Sequence, residues 1–358
     1  MTPDTLPGRL GALASDRPDE TACWVKRRGL WQRTSWRQAA LQAARAAAAL
    51  AQAGVGPGQR VLLVGDPEPE LHWAAHAVMS LGASVVALDP AADAGRLASA
   101  AVAAGVGCAL VRDEEQAVKL ARIPASEAPL VFSWRIGSAM EVCGGPVRPL
   151  PFSPAQDQAA PCLPGLAQGS GHPAFVTLDC PAAGPREVSH EELLATAETL
   201  GARLDLRPAA RYFCAMPLAF GEARAMLALA VALPMTTCFP ESPDQLEANL
   251  VELQPEVSLM DGSYWNEAAG HLRQRVRPGL WRMVGAGSSG GWLRERTLHR
   301  PLRRHLGLGR ANAALVAGGR PDEPTRALLA TLKVPWLEID AGGRPATAAR
   351  AGAGGSAA

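Results

Sequence analysis

Residues 60–88 read RVLLVGDPEPELHWAAHAVMSLGASVVAL, and this stretch decides the fold. After Arg60, residues 61–64 are an unbroken apolar run ended by Gly65. A half-buried strand would alternate apolar and polar residues, so such a run marks a strand covered on both faces. Residues 69–81 follow as a helix. Pro69 sits in its first turn, where a missing N–H is harmless, and Gly82 supplies the stop. Residues 84–88 are a second buried strand, 93–104 a second helix and 108–111 a third strand. Strands buried on both faces and separated by helices imply a parallel sheet between helical layers. The fold class expected is α/β, with layered parallel or mixed sheets flanked by helices.

The pattern extends in both directions. Upstream, Ser35 and Gln38 form a capping box ahead of an alanine-rich helix that Gly54 terminates, and Gly56-Pro57-Gly58 turns the chain into the first strand. Downstream, residues 122–172 hold eight prolines and read as a surface connection, with 130–136 as a lone strand. Alternation resumes with strands at 174–178, 235–239 and 257–260. Helices are expected at 227–233, at 244–253 with an Asp244/Glu247 capping box, and at 264–276. The division expected is a first α/β subdomain over 1–121, the connection over 122–172, a second α/β subdomain over 173–340 and an Ala/Gly-rich disordered tail over 341–358.

Composition narrows the function classes. Hydrophobic residues make up 48% of the 358, and the formal net charge is +1, so bulk charge points to no polyanion. The seven cysteines form no C-x-x-C pair and lie in apolar segments, as reduced thiols do. No apolar run reaches the ~20 residues that cross a bilayer, and residues 1–14 lack a signal-peptide core. A cytoplasmic protein without a transmembrane segment is expected.

Residues 171–194, GHPAFVTLDCPAAGPREVSHEELL, read as strand, loop and helix, with Ser189 and Glu192 as a capping box. Backbone N–H groups and a helix dipole converge on phosphate in such a frame. Between Leu178 and Gly184 there is no glycine, serine or threonine, so only Gly184 and Arg186 suit an anion. An ordinary strand-to-helix connection is the alternative. Residues 281–291 contain G-x-G-x-x-G at Gly285, Gly287 and Gly290, but Arg310 stands where a dinucleotide site wants an acid. A glycine turn lining a cleft fits better. Residues 292–310 carry Arg294, Arg296, Arg300, Arg303, Arg304 and Arg310 against Glu295 alone. They are either a solvated helix face or a landing strip for CoA phosphates, an acidic partner or an anionic headgroup. No aromatics are interleaved to stack bases, so nucleic acid is not an expected partner.

A family resemblance rests on Arg17-Pro18-Asp19, Gly29-Leu30-Trp31, Thr34-Ser35-Trp36, Gly54-Val55-Gly56-Pro57-Gly58-Gln59-Arg60-Val61, Glu70-Leu71-His72-Trp73, Leu81-Gly82-Ala83, Leu88-Asp89-Pro90 and Val111-Arg112-Asp113-Glu114-Glu115. This order resembles the opening of AMP-forming acyl-CoA synthetases, and it leans to the long-chain fatty acid branch. The resemblance implies the large N-terminal domain of an adenylate-forming enzyme, ATP or AMP with Mg²⁺ as cofactors, and a fatty acid or other carboxylate as substrate.

It also locates departures. Phe220 stands at the family's pocket histidine, in a stretch read as a hydrophobic wall. Gly318 and Gly319 keep the turn that faces adenine in the family. After Leu337-Glu338-Ile339, however, come Asp340-Ala341-Gly342-Gly343-Arg344, not Tyr-Gly-x-Thr-Glu. The candidate cofactor-binding residues are therefore Gly184, Arg186, Gly318 and Gly319, degenerate phosphate and adenine positions. No catalytic residue and no metal ligand is nominated. The expectation is a chain without the small C-terminal lid domain, weak or inactive on its own, with a separate lid-domain or synthetase subunit as an implied partner. The alternative is a non-catalytic relative that binds acyl groups, nucleotide or a protein. Substrate chain length and oligomeric state are not read from the residues.

Overall fold

A computed structural model describes residues 5–150, 152, 163, 169–178, 184–276 and 295–345. The chain opens with α1 (Leu6–Asp16), the hairpin β1 (Thr21–Arg27) and β2 (Leu30–Ser35), and α2 (Trp36–Gln52). There follow β3 (Arg60–Val64), α3 (Pro69–Ser80), β4 (Ser84–Leu88), α4 (Ala94–Ala103), β5 (Cys108–Asp113), α5 (Glu114–Lys119) and β6 (Leu130–Arg135). The short strands β7 (Glu141–Val142), β8 (Gly145–Pro146) and β9 (Arg148–Pro149) lie within the proline-rich connection. Beyond it come β10 (Pro173–Thr177), β11 (Arg186–Ser189), α6 (His190–Leu204), β12 (Arg211–Cys214), α7 (Gly221–Ala232), β13 (Thr236–Phe239), α8 (Leu246–Leu253), β14 (Val257–Asp261) and α9 (Gly262–Arg275). The last described elements are α10 (Arg300–His305), β15 (Ala313–Ala317), α11 (Glu323–Thr331) and β16 (Trp336–Glu338).

Two seven-stranded sheets result, ordered β16-β15-β14-β12-β13-β1-β2 and β11-β10-β4-β3-β5-β6-β9. Each is parallel except for one antiparallel edge strand, β2 on β1 and β11 on β10. Sheet membership crosses the proline-rich connection. The early β1 and β2 join the sheet built from the second half, and β10 and β11 join the sheet built from the first.

Residue alternation along β3 shows how the layers form. Val61 and Leu63 face a central core shared with α1, α2, α3, α6, α7 and the facing side of the other sheet. Leu62 and Val64 face an outer core with α4 and α5. On the other sheet, Phe213, Met260, Ala314 and Val316 face α8, α9, α10 and α11. The architecture is therefore helix, sheet, helix, sheet, helix, and the central strands of each sheet are buried on both faces. Unbroken apolar strands follow from that burial.

Several local expectations hold. Ser35 accepts from Gln38 N while the Gln38 side chain accepts from Ser35 N, completing the capping box of α2. Others are corrected. The Asp244/Glu247 box does not form, because the chain tightens into a 3₁₀ turn at Pro243–Gln245 before α8. Residues 341–345, assigned by composition to a disordered tail, form a turn closed by a bridge from Ile339 to Pro345. The glycine run at 281–291 and residues 346–358 lie outside the described residues.

Candidate functional site

The carboxyl ends of both sheets face the region where open α/β folds bind ligands. At the β10 end, the expected strand–loop–helix frame is replaced by a hairpin. Arg186 pairs with Thr177 across it, and β11 carries the chain back to the amino end of β10 before α6 begins. There His190 N donates to His172 O and Glu191 N to Ser170 O. At ~3.3 Å per residue, four residues of β11 put the α6 amino terminus about 13 Å from the loop. Its dipole does not reach an anion held at the hairpin tip, because the effect fades within one turn.

Gly184 is half-buried at φ +73°, with open space where a Cβ would stand. Arg186 is exposed, and its guanidinium donates to Glu192 Oε1 at 3.0 and 3.3 Å. The Ser189–Glu192 capping box is thus half made. Ser189 Oγ accepts from Glu192 N at 3.1 Å, while the Glu192 carboxylate turns to Arg186.

The same carboxylate lies 4.0 Å from Arg344, in the turn after β16. Asp340 Oδ1 accepts from Gly342 N and Arg344 N, each at 2.9 Å, so the carboxylate is committed to its own turn. That turn sits directly on the helical layer. A Cβ at Gly343 would lie 2.3 Å from Ala225 Cβ, and one at Gly221 would lie 1.5 Å from Ala341 O. One strand over, Gly318 (φ +64°) and Gly319 (φ +129°) turn the chain after β15 against the start of α9, where a Gly262 Cβ would meet Gly319 O at 2.4 Å. Arg320 bonds Glu338 at 2.7 Å beside them. The four nominated residues therefore lie at the carboxyl ends of two strands, Gly184 and Arg186 in the hairpin after β10 and Gly318 and Gly319 in the turn after β15, and Glu192 ties the hairpin to the Asp340 turn after β16.

Phe220 is not packed into the core. It is the N-cap of α7 and 37% exposed, while Met216 and Leu218 of the same stretch are buried. The sequence reading missed Arg224, buried on α7, which donates to Leu218 O and Ala219 O and so fixes the segment ahead of Phe220. Its guanidinium carbon lies 5.8 Å from the Phe175 ring centre, on β10. A charged Glu-Ala-Arg inside an otherwise apolar helix was the available signal.

A second crevice of about 580 Å³ opens where β3, β5 and β6 end beside β1 and β13. β3 has β4 on one side and β5 on the other, the point at which strand order reverses. Glu68 lies buried there, bonded by Trp134 Nε1 and Arg135. Arg112 reaches Asp66 at 2.6 Å and Glu68 at 3.6 Å, and Arg27 pairs with Glu70. Burial pushes the Glu68 carboxyl above its usual range, against the pull of Arg135. Trp134 and Phe152 supply apolar wall. Of the described residues, five cations (Lys26, Arg27, Arg28, Arg112 and Arg135) stand among four carboxylates (Asp66, Glu68, Glu70 and Glu241), so the crevice suits a polar ligand with both signs better than a free phosphate.

The residues present do not fit a magnesium-bound triphosphate. Arg186, the cation retained in the hairpin, is neutralised by Glu192, and the Asp340 carboxylate is held by backbone N–H groups. Among the described residues, no three histidine, cysteine, aspartate or glutamate side chains converge as a metal site. The open glycine turn at Gly318-Gly319 does leave backbone accessible to a planar ring.

Residues 12–138 match the family model described as AMP-binding enzyme. No curated protein matches the chain. Among solved structures, a nonribosomal peptide synthetase, FmoA3 (S1046A), is similar at TM-score 0.68 and 19% identity over 94% of this chain, which spans 31% of that protein's length. The N-terminal domain of FACL13 from Mycobacterium tuberculosis is similar at 0.66 and 14% identity, over 94% of this chain and 75% of its own. A putative long-chain-fatty-acid CoA ligase from Rhodopseudomonas palustris CGA009 gives 0.66 and 18% identity, over 93% and 74%. The motifs that carry the resemblance all fall within the matched residues 12–138, and the fold is that of the large N-terminal domain of adenylate-forming enzymes.

Proposed function

We propose that this chain is an acyl-CoA-synthetase-like protein that binds a carboxylate or an adenosine nucleotide without joining them. Adenylation transfers the α-phosphate of ATP to a carboxylate and expels pyrophosphate, so it needs fixed donors where negative charge accumulates. One observation carries the reading: Arg186 donates both its bonds to Glu192. A cation already paired within the protein adds little field at a phosphate, and neither the loop hydroxyls nor a Thr-Glu pair stands in the sequence to replace it. Loss of one such donor costs about 10²–10³ in rate. Here several are substituted together.

Binding is supported by what remains. The Gly318-Gly319 turn, the exposed Phe220 ring and the charged crevice beside Glu68 line the carboxyl ends of the sheets. The long-chain fatty acid leaning of the N-terminal motifs makes a fatty acid the first carboxylate to try. The free thiols favour a reducing, cytoplasmic setting: burial pushes Cys23, Cys108 and Cys214 up to about 12. No helix among the described residues is long and apolar enough to cross a membrane. Carboxylate-dependent ATP–pyrophosphate exchange tests the proposal. The expected result is exchange at the level of a protein-free blank with fatty acids of every length. Exchange above the blank that Arg186→Ala abolishes would overturn it.

A further inference from the structure

We infer that the amino end of the β14–β15 region holds a second anion site, built for a compact ligand carrying a diphosphate group. A cleft of about 530 Å³ opens there, opposite the crevices described above, lined by Arg300, Arg304, His305 and Arg310, with Arg211 and Gln254 at its base. Its volume falls in the range of small-molecule pockets.

Charge pairing sets this cleft apart. Arg211 is held by Glu256 at 3.2 Å, and the one lining acid among the described residues, Glu252, is engaged by Lys26 and by Trp31 Nε1. Arg303, on the same helix, pairs with Glu295. Arg300, Arg304 and Arg310 are exposed and have no carboxylate partner among the described residues. Arg300 and Arg304 stand four apart on α10, a like-charge spacing that costs helix stability. A ligand with several negative oxygens relieves that repulsion, and guanidinium forks match phosphate oxygens two at a time.

The cleft is also rigid, which separates a site from a diffuse patch. Gln254, in the left-handed region at φ +49°, donates through Nε2 to Arg304 O at 2.8 Å and accepts through Oε1 from Gly309 N at 2.8 Å. Gly307 (φ +73°) admits no side chain, since a Cβ would lie 2.5 Å from Leu250 Cγ and 2.9 Å from the Leu250 backbone, and at Gly309 a Cβ would lie 2.4 Å from Gln254 Oε1 and displace the clamp. The loop that joins the end of α10, with Arg304, to Arg310 is therefore set before any ligand arrives, and affinity is not spent on ordering it. Among the described residues no Trp, Tyr or Phe lines the cleft, so none of them stacks a base. Recognition is confined to the phosphates, whether free or attached to a nucleoside.

Titration calorimetry on the full chain at low ionic strength tests this with inorganic pyrophosphate, ADP and inorganic phosphate. Pyrophosphate and ADP are expected to bind alike, each at least tenfold tighter than phosphate. Arg304→Gln and Arg310→Gln should each weaken pyrophosphate about tenfold, the loss of one charged hydrogen-bonding group. Arg203→Gln, an equal charge change at an exposed residue of α6, should change it less than twofold. Binding that falls equally in all three variants would reduce the cleft to bulk charge and overturn the proposal, as would pyrophosphate binding no tighter than phosphate. ADP binding much tighter than pyrophosphate would overturn the exclusion of the base. Thermal melts of the variants check that each is folded.

Discussion

The two ends of these sheets treat arginine in opposite ways. At the carboxyl end, Arg186 and Arg344 converge on Glu192, and Arg112 and Arg135 converge on Glu68. At the amino end, Arg300, Arg304 and Arg310 border a cleft with no carboxylate to meet them among the described residues. The family resemblance predicts anion chemistry at the first end, yet arginines without a carboxylate partner among the described residues stand at the second. The contrast teaches that a cation at a motif position counts only by its partner. A sequence gives the position and leaves the partner unstated.

The largest effect expected concerns the helical layer beneath the carboxyl-end turns. Burial pushes His72 and His76 down to about 3 and His190 down to about 4, so all three are neutral in the folded protein. His190 Nδ1 accepts from Leu6 N at 3.3 Å, a bond that protonation removes. An unfolded histidine titrates near ~6.5. Their contribution is therefore complete above that pH and is lost as pH falls toward the folded values. The slope approaches about 1.4 kcal/mol per pH unit for each histidine. Glu68, its carboxyl raised by burial, acts in the opposite sense just above the usual carboxylate range. Denaturant midpoints at pH 7.5 and pH 5 should show a marked loss at the lower value. A flat profile would mean these histidines are solvated.

Gly221→Val should destabilise by about 3 kcal/mol, the upper end for overpacking. The new Cβ would overlap Ala341 O, and backbone cannot move as a flexible side chain does. A denaturation curve unchanged from the parent would show that the Asp340 turn is not seated on α7. Gln254→Ala should cost about 1–2 kcal/mol for the hydrogen bonds lost, mostly from partly buried groups. It should also weaken pyrophosphate several-fold without altering charge. Loss of stability with unchanged binding would separate the loop clamp from the amino-end cleft.

Glu192→Gln is the smallest change and the sharpest for the comparison. The Arg186 side chain is 55% exposed, so breaking the pair should move stability by under about 1 kcal/mol. Freed of its carboxylate, Arg186 should attract AMP a few-fold more tightly, read by calorimetry at low salt. No gain in affinity would show that Glu192 does not govern the hairpin's charge.

Much of the fold was legible because parallel strands buried on both faces write themselves as apolar runs. β3 and β4 lie where residues 60–64 and 84–88 place them. β11 was not legible. Its four residues, Arg-Glu-Val-Ser, carry no periodicity, and its identity comes from pairing with β10. That miss turned a hairpin into a phosphate frame and put the α6 dipole at the wrong end of the strand. The diversion of Glu192 to Arg186 was hidden for the same reason, since it depends on where β11 returns the chain. Phe220 reads as core by composition, yet the turn into α7 exposes it. The arginine run at 292–310 was visible as charge, but the Gln254 clamp comes from a distant helix end and from glycines whose spacing carries no motif.

The proposed loss of power over phosphate at the carboxyl-end site rests on the pairing of Arg186 with Glu192. Its most direct measurement is carboxylate-dependent ATP–pyrophosphate exchange, run side by side on the parent chain and Glu192→Gln with Mg²⁺ and fatty acids from short to long. Both proteins should stay at the blank, because unpairing one arginine restores neither the hydroxyls nor the Thr-Glu pair. Exchange by the parent chain, lost in Arg186→Ala, would contradict the claim and identify a working active site built on a paired arginine.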